Sequence, residues 1–181
     1  MICKTTLLCH LIIIVTVILK GHLAKRSGKS FYFYSYKVEF DSTYIQDHRI
    51  NLRNTSIDVL LNIAQDYPWD PWLMTAFSVK DRKTDNFRKL IHYDVNVCSI
   101  LGRADNNLIT VWIQNFLKFG NLPKSCPIKK GNYSWYKLRP EKVSIPDVFP
   151  SAEYKMQIDT YFRKGKERQS VDNLTVVGVL K

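Results

Sequence analysis

The feature that most constrains this chain is the alternation of apolar and polar side chains along several long stretches. In segment 31–40, for example, Tyr32, Tyr34, Tyr36, Val38 and Phe40 fall on one face. A period of two is typical of a β-strand with one buried face. Strand-like stretches cover residues 31–40, 56–64, 72–80, 87–98, 132–138, 152–162 and 170–180. Since no strand-helix unit repeats, we expect a mainly β fold, an antiparallel two-sheet β-sandwich or β-cup of about seven or eight strands.

One segment, "NNLITVWIQNFLKFG", departs from this pattern. Its polar residues Asn107, Thr110, Gln114 and Lys118 recur at helical spacing, and nearly all the others are apolar. The pattern predicts one central α-helix over about residues 106–119, with a wide apolar face. Such a helix would either plug an end of the sandwich or line a cavity.

The N-terminal residues have the pattern of a signal peptide. Lys4 precedes the apolar run Leu7–Leu19, and small residues follow between Gly21 and Ala24. We therefore expect residues 1–24 to be cleaved, residues 25–181 to form a single domain, and the protein to be secreted and extracellular. The alternative is a retained membrane anchor, but a spanning helix needs about 17–25 apolar residues and this run is shorter.

Four cysteines are present, and Cys3 and Cys9 would leave with the signal peptide. In an oxidising compartment, Cys98 and Cys126 are expected to form a disulfide. A free thiol and a metal site are the alternatives. Zinc usually takes four ligands at close spacing, whereas His48 and His92 are the other candidates and have no such spacing. We expect no metal and no cofactor.

Three Asn-x-Ser/Thr sequences are candidate glycosylation sites. They begin at Asn54, Asn132 and Asn173. In a secreted protein such asparagines accept N-linked glycans when they lie on the surface.

The formal net charge is +11, and the basic residues are spread along the whole chain. They are interpreted either as a solvated surface or as an attraction to an anionic membrane surface or an acidic receptor. Nucleic acid is not expected as a partner, because the protein follows the secretory route and no predicted helix concentrates the charge.

Aromatic residues make up 13% of the chain. They either fill the core or line a pocket for an apolar ligand, since small-molecule sites are mostly apolar and aromatic. Our candidate ligand-binding residues are Trp112, Phe116, Phe119, Tyr154, Met156 and Ile158. The stretch "YPWDPW" (67–72) is interpreted as a rigid turn with its indoles packed inward, or as an exposed aromatic rim.

Catalytic patterns are scarce. The sequence contains no Gly-x-Ser-x-Gly, His-Glu-x-x-His or phosphate-binding loop. Acidic residues neighbour the histidines in Asp47-His48 and His92-Tyr93-Asp94, but adjacent residues of a strand point to opposite faces. We therefore expect no catalytic residues and no enzymatic activity.

Several segments together resemble a known family. These are "VNVCSIL", "FLKFGNLP", "SCPIKKGNY" and "SIPDVFPSAEYKMQIDTYF". They resemble an insect family of small secreted proteins of unknown function, itself similar to the chemosensory Che proteins and, distantly, to the lipid-recognition (ML) fold of the ganglioside activator protein. The resemblance implies that residues 25–181 form a lipid-recognition-like β-cup that binds a lipid or other small hydrophobic ligand, in chemosensation. The alternative is a secreted sandwich that recognises a protein partner and has no ligand cavity.

Overall fold

The computed structural model describes residues 29–101, 120–139 and 149–181. The signal peptide (1–24), the helix (106–119) and the candidate ligand residues Trp112, Phe116 and Phe119 therefore lie outside the described residues. Within them, the strands are β1 (Phe31–Phe40), β2 (Ile45–Arg53), β3 (Ser56–Ile63), β4 (Pro71–Lys80), β5 (Phe87–Asn96), β6 (Gly120–Asn121), β7 (Gly131–Leu138), β8 (Ala152–Lys164) and β9 (Glu167–Leu180). A short helix, α1 (Val97–Leu101), follows β5.

The strands form two antiparallel sheets, so the prediction of a mainly β two-sheet sandwich is confirmed. One sheet has the order β1-β9-β8-β4-β5, and the other has the order β2-β3-β7-β6. The described residues contain nine strands rather than seven or eight. The two unpredicted strands lie at the edges of the second sheet. β2 is mostly polar, with only Ile45 and Ile50 buried, and β6 has two residues.

The β8–β9 hairpin supplies the centre of the larger sheet. Its turn contains Gly165 at φ 62°, a backbone conformation that glycine adopts readily. The sequence predicted Cys98 as the last residue of a strand. Instead β5 ends at Asn96, and Cys98 lies in α1. The Asn96 side chain accepts a hydrogen bond from the Ser99 backbone N–H at 3.0 Å and so caps α1.

A register shift in β1 changes which side chains are buried. Phe31 and Phe33 are buried, whereas Tyr34 and Tyr36 are 55% and 47% exposed. The ladder between β1 and β9 is irregular between Phe33 and Ser35, which breaks the simple alternation. Tyr32 therefore does not share a face with Val38 as predicted, whereas Tyr36 and Phe40 lie on the same side of the regular ladder as Val38.

Two hydrophobic clusters lie between the sheets. The first cluster consists of Phe31, Phe33, Ile50, Ile57, Val59, Tyr154, Leu174, Val176 and Leu180. The second cluster consists of Tyr44, Ile45, Ile63, Tyr67, Ile128, Phe162 and Val171. Cys98 and Cys126 form the predicted disulfide, with their Cα atoms 5.7 Å apart, and Cys126 packs against the second cluster.

Replacement of Gly178 by alanine is expected to destabilise the larger sheet. An added methyl group would lie 2.6 Å from the Tyr32 carbonyl oxygen and also meet the Phe31 ring. Overpacking of this kind costs about 1–3 kcal/mol, measurable as a lower midpoint of urea unfolding. Gly165→Ala is the comparison, because nothing lies within 4 Å of the added atom there and its cost reflects backbone conformation alone. A Gly178→Ala protein as stable as the wild type would contradict this packing.

Candidate ligand pocket

A pocket of about 190 Å³ lies between the two sheets. The larger sheet contributes to its wall Leu73, Thr75, Tyr93, Met156, Ile158, Thr160, Asp172, Leu174 and Val176. The smaller sheet contributes His48, Ile57, Val59, Leu61, Trp135 and Leu138. Most of these side chains are aliphatic or aromatic, which is the usual composition of a site for a small apolar molecule.

Strand register arranges the wall of the larger sheet in layers. The first layer pairs Asp172 with Thr160, the second pairs Leu174 with Ile158, and the third pairs Val176 with Met156. In β4 and β5, Thr75 and Tyr93 continue the second layer. The polar groups are therefore concentrated towards the first layer, and the third layer is apolar.

A buried hydrogen bond joins the two sheets at the first layer. His48 on β2 donates from Nδ1 to the Asp172 carboxylate at 2.8 Å, and the two side chains are only 3% and 10% exposed. The donor must be Nδ1–H, because a carboxylate accepts. Among the described residues, Nε2 of His48 has no hydrogen-bond partner. The pocket thus has one polar end, where Nε2 of His48 is available as a hydrogen-bond acceptor.

Tyr93 adds a neutral polar group to the middle of the wall. Burial raises the pKa of its hydroxyl to about 12, and a hydrogen bond with Thr75 opposes part of this shift. The phenol therefore stays protonated at physiological pH.

A bulge in β7 turns two residues of this strand towards the pocket. Ile57 pairs with Leu138 and Val59 with Trp135, so two residues of β7 lie opposite Asp58. One of them, Lys137, has φ 55°. Its backbone N–H donates to Asp58 at 2.8 Å. Because the bulge reverses the alternation, both Trp135 and Leu138 line the pocket.

Asp58 makes the stability of this bulge dependent on pH. The Lys137 backbone N–H, with a further contribution from Arg53, holds the pKa of Asp58 below its ordinary value against the effect of burial. A carboxyl with a lowered pKa stabilises the fold above its unfolded-state pKa of about 4 and loses that contribution as pH falls through the folded-state pKa. We expect Asp58→Asn to cost about 1.5–3 kcal/mol at pH 7, as for hydrogen bonds to a charged group.

Urea unfolding of the wild type and Asp58→Asn proteins from pH 7 to pH 2.5 checks this expectation. The difference between the two proteins should shrink below about pH 4. A constant difference across the whole range would show that the carboxylate charge is not what stabilises the bulge.

Three of the ligand-binding residues predicted from the sequence lie in the described part of the chain, and two of them line the pocket. Met156 and Ile158 line the pocket. Tyr154 does not line it: this residue is fully buried, stacks on Phe77 at 5.0 Å, and donates from its hydroxyl to the Pro150 carbonyl at 2.8 Å. It lies in the first cluster beside Phe31 and Phe77, outside the pocket wall.

Sequence reasoning missed the pair formed by His48 and Asp172. It considered only carboxylates adjacent to a histidine, whereas these residues are 124 positions apart. One signal was available, because Asp172 shares its period-two face with Leu174 and Val176. An acidic residue on an apolar face needs a partner inside the fold. His92, by contrast, is exposed.

The proline- and tryptophan-rich stretch begins β4 rather than forming only a turn. Pro71 is the first residue of this interior strand, a position where proline is tolerated. Trp69 is 43% exposed and lies 4.2 Å from the Lys164 ammonium group. The Arg163 guanidinium lies 3.5 Å from the Trp72 ring. The indoles are thus covered partly by cationic side chains of the β8–β9 hairpin.

The glycosylation candidates differ in their surroundings. Asn54 and Asn132 are exposed, and Asn173 is half-buried in β9 between β1 and β8. Asn54 and Asn132 therefore offer the more open positions for a glycan.

The fold and the pocket together define a β-sandwich domain with an apolar intersheet pocket. Residues 75–156 match the model of a family described as "Protein of unknown function (DUF1091)". The matched segment starts in β4, includes both disulfide cysteines and ends at Met156 in the pocket wall. No curated protein matches the chain. The match agrees with the predicted resemblance to a family of unknown function, while the relationship to Che proteins and the ML fold stays a prediction.

Proposed function

We propose that this protein binds a small hydrophobic ligand between its two sheets and carries out no chemistry on it. The observation that carries the proposal is the pocket of about 190 Å³ with a mostly aliphatic and aromatic wall. Burial of ligand hydrocarbon would drive binding, at about 25 cal/mol per Å² of apolar surface before the costs of association.

The size of the pocket limits the ligand. An apolar protein cavity of about 150 Å³ accommodates benzene. By that scale, the space here suits a molecule of about eight non-hydrogen atoms. A single ring with a short chain, or a medium-length alkyl chain, fits this space better than a two-chain lipid does.

A homologous series of n-alkanols tests the proposal. From butan-1-ol to dodecan-1-ol, each added CH₂ should tighten the Kd about fourfold while the chain still enters the pocket, which corresponds to about 0.8 kcal/mol per buried CH₂. The gain should stop near eight carbons, where the space is filled. Isothermal titration calorimetry measures each Kd. Absence of saturable binding for every member of the series would overturn the proposal.

We further propose that the protein acts outside the cell. The apolar run near the N terminus and the disulfide between Cys98 and Cys126 support this proposal. In the described parts of the chain, no helix combines the length and apolar character needed to cross a membrane. Expression in insect cells followed by N-terminal sequencing of the protein in the medium tests it. A new N terminus near residue 25 is expected, and retention of the full chain in the cell pellet would contradict it.

A further inference from the structure

The polar end of the pocket indicates which head group the ligand carries. His48 and Asp172 both form part of the wall, one from each sheet, and Thr160 pairs with Asp172 in the adjacent strand. The remainder of the wall is mainly apolar. A ligand that fills this space therefore places one end near a histidine and the rest against hydrocarbon.

The hydrogen bond to Asp172 determines what His48 can offer. Because Nδ1–H donates to the carboxylate, the neutral imidazole has its lone pair on Nε2. A buried acceptor without a partner destabilises the fold, and Nε2 has none among the described residues. A donor supplied by the ligand would remove this destabilising effect.

The charge of Asp172 favours a neutral donor. This carboxylate is itself nearly buried and lies next to the imidazole. A ligand carboxylate at the same end would place two negative charges together where water screens them poorly. An ether or alkane would leave Nε2 without a partner. A hydroxyl group provides the donor without adding charge.

We propose, on the basis of the proposed function, that the ligand is a small alcohol or phenol whose hydroxyl group donates to Nε2 of His48. Asp172 is then a positioning residue, because it holds the imidazole in the tautomer that accepts. The alkyl or aryl part of the ligand lies against the apolar layers formed by Leu174, Ile158, Val176 and Met156.

The test compares two isomers that differ only in the donor. Heptan-1-ol and methyl hexyl ether have the same atoms, but only the alcohol has an O–H. With wild-type protein, calorimetry should show the alcohol binding about five- to tenfold more tightly than the ether, the effect of one net hydrogen bond. Heptanoate at pH 7 should bind more weakly than heptan-1-ol.

A conservative variant tests whether Nε2 of His48 causes the preference for the alcohol over the ether. His48→Asn retains an amide N–H for Asp172, and its carbonyl oxygen takes the place of the ring carbon Cδ2, so no acceptor remains at the position of Nε2. In this variant the preference should fall to less than about twofold. His92→Asn is the matched control, because it makes the same substitution at an exposed histidine outside the pocket wall. It should keep the preference.

The outcomes separate the two proposals. Equal wild-type affinities for alcohol and ether, tighter binding of heptanoate, or an unchanged preference in His48→Asn would overturn the hydroxyl assignment while the pocket still binds ligand. Failure of both isomers to bind wild-type protein would overturn the proposed function itself. Circular dichroism and urea unfolding of each variant show that the compared proteins are folded.

Discussion

His48→Ala is expected to lower the free energy of unfolding by about 3–5 kcal/mol, because it leaves a nearly buried carboxylate without its hydrogen-bond donor. The Asp172 side chain is 10% exposed, and His48 donates to it at 2.8 Å. Without the imidazole, a nearly buried carboxylate loses this donor, and a space opens beside the pocket. Urea unfolding at pH 7 measures the loss.

Two further variants show whether the carboxylate causes this loss. His48→Asn keeps an N–H donor and should lose clearly less stability than His48→Ala. The double variant His48→Leu/Asp172→Leu removes the charge together with its partner and should recover most of the stability, as replacement of buried pairs by apolar residues commonly does. If the double variant were as unstable as His48→Ala, lost packing rather than an unpaired carboxylate would explain the effect.

Phe162→Ala is expected to cost about 3–5 kcal/mol as well, because it removes the centre of the second cluster. Phe162 is fully buried, and its ring centroid lies 5.0 Å from Tyr44, 5.1 Å from Tyr67 and 5.7 Å from Trp69. These edge-on contacts add to the loss of buried apolar area. Thermal or urea unfolding gives the value.

The matched control is another phenylalanine on a strand of the same sheet. Phe40 is 40% exposed, so Phe40→Ala should cost less than about 1 kcal/mol. Equal losses for Phe162→Ala and Phe40→Ala would mean that the second cluster does not hold this end of the sandwich together.

The β-sandwich was predictable because alternation is a local property. In β9 the period of two persists from Asp172 to Leu180 and correctly indicates one interior face. β2 was missed because it is an edge strand with few buried residues, and the predicted face of β1 was wrong only for the residues before the register shift at Phe33 and Ser35. Local patterns carry little information about edges and bulges.

The apolar character of the pocket was predictable from the sequence, but its position between the sheets was not. Alternation places Tyr154, Met156 and Ile158 on one face, yet only the last two line the pocket. Which part of a face is filled depends on the residues of the opposite sheet, and these follow from topology. The same limit applies to His48 and Asp172, because two residues so distant in sequence meet only after both sheets have packed.

A matched pair of valine substitutions in β9 tests most directly whether the space between the sheets is hollow. Val176 lines the pocket and Val171 packs in the second cluster, and they are only 2% and 0% exposed. Calorimetry with heptan-1-ol and urea unfolding are carried out on Val176→Phe and Val171→Phe. We expect Val176→Phe to remain within about 1 kcal/mol of wild type and to lose binding, and Val171→Phe to lose about 1–3 kcal/mol or more from overpacking and to keep binding. Equal destabilisation by the two substitutions, with alcohol binding unchanged in both, would contradict the account. It would mean that the space beside Val176 is already filled and is not the binding site of the alcohol.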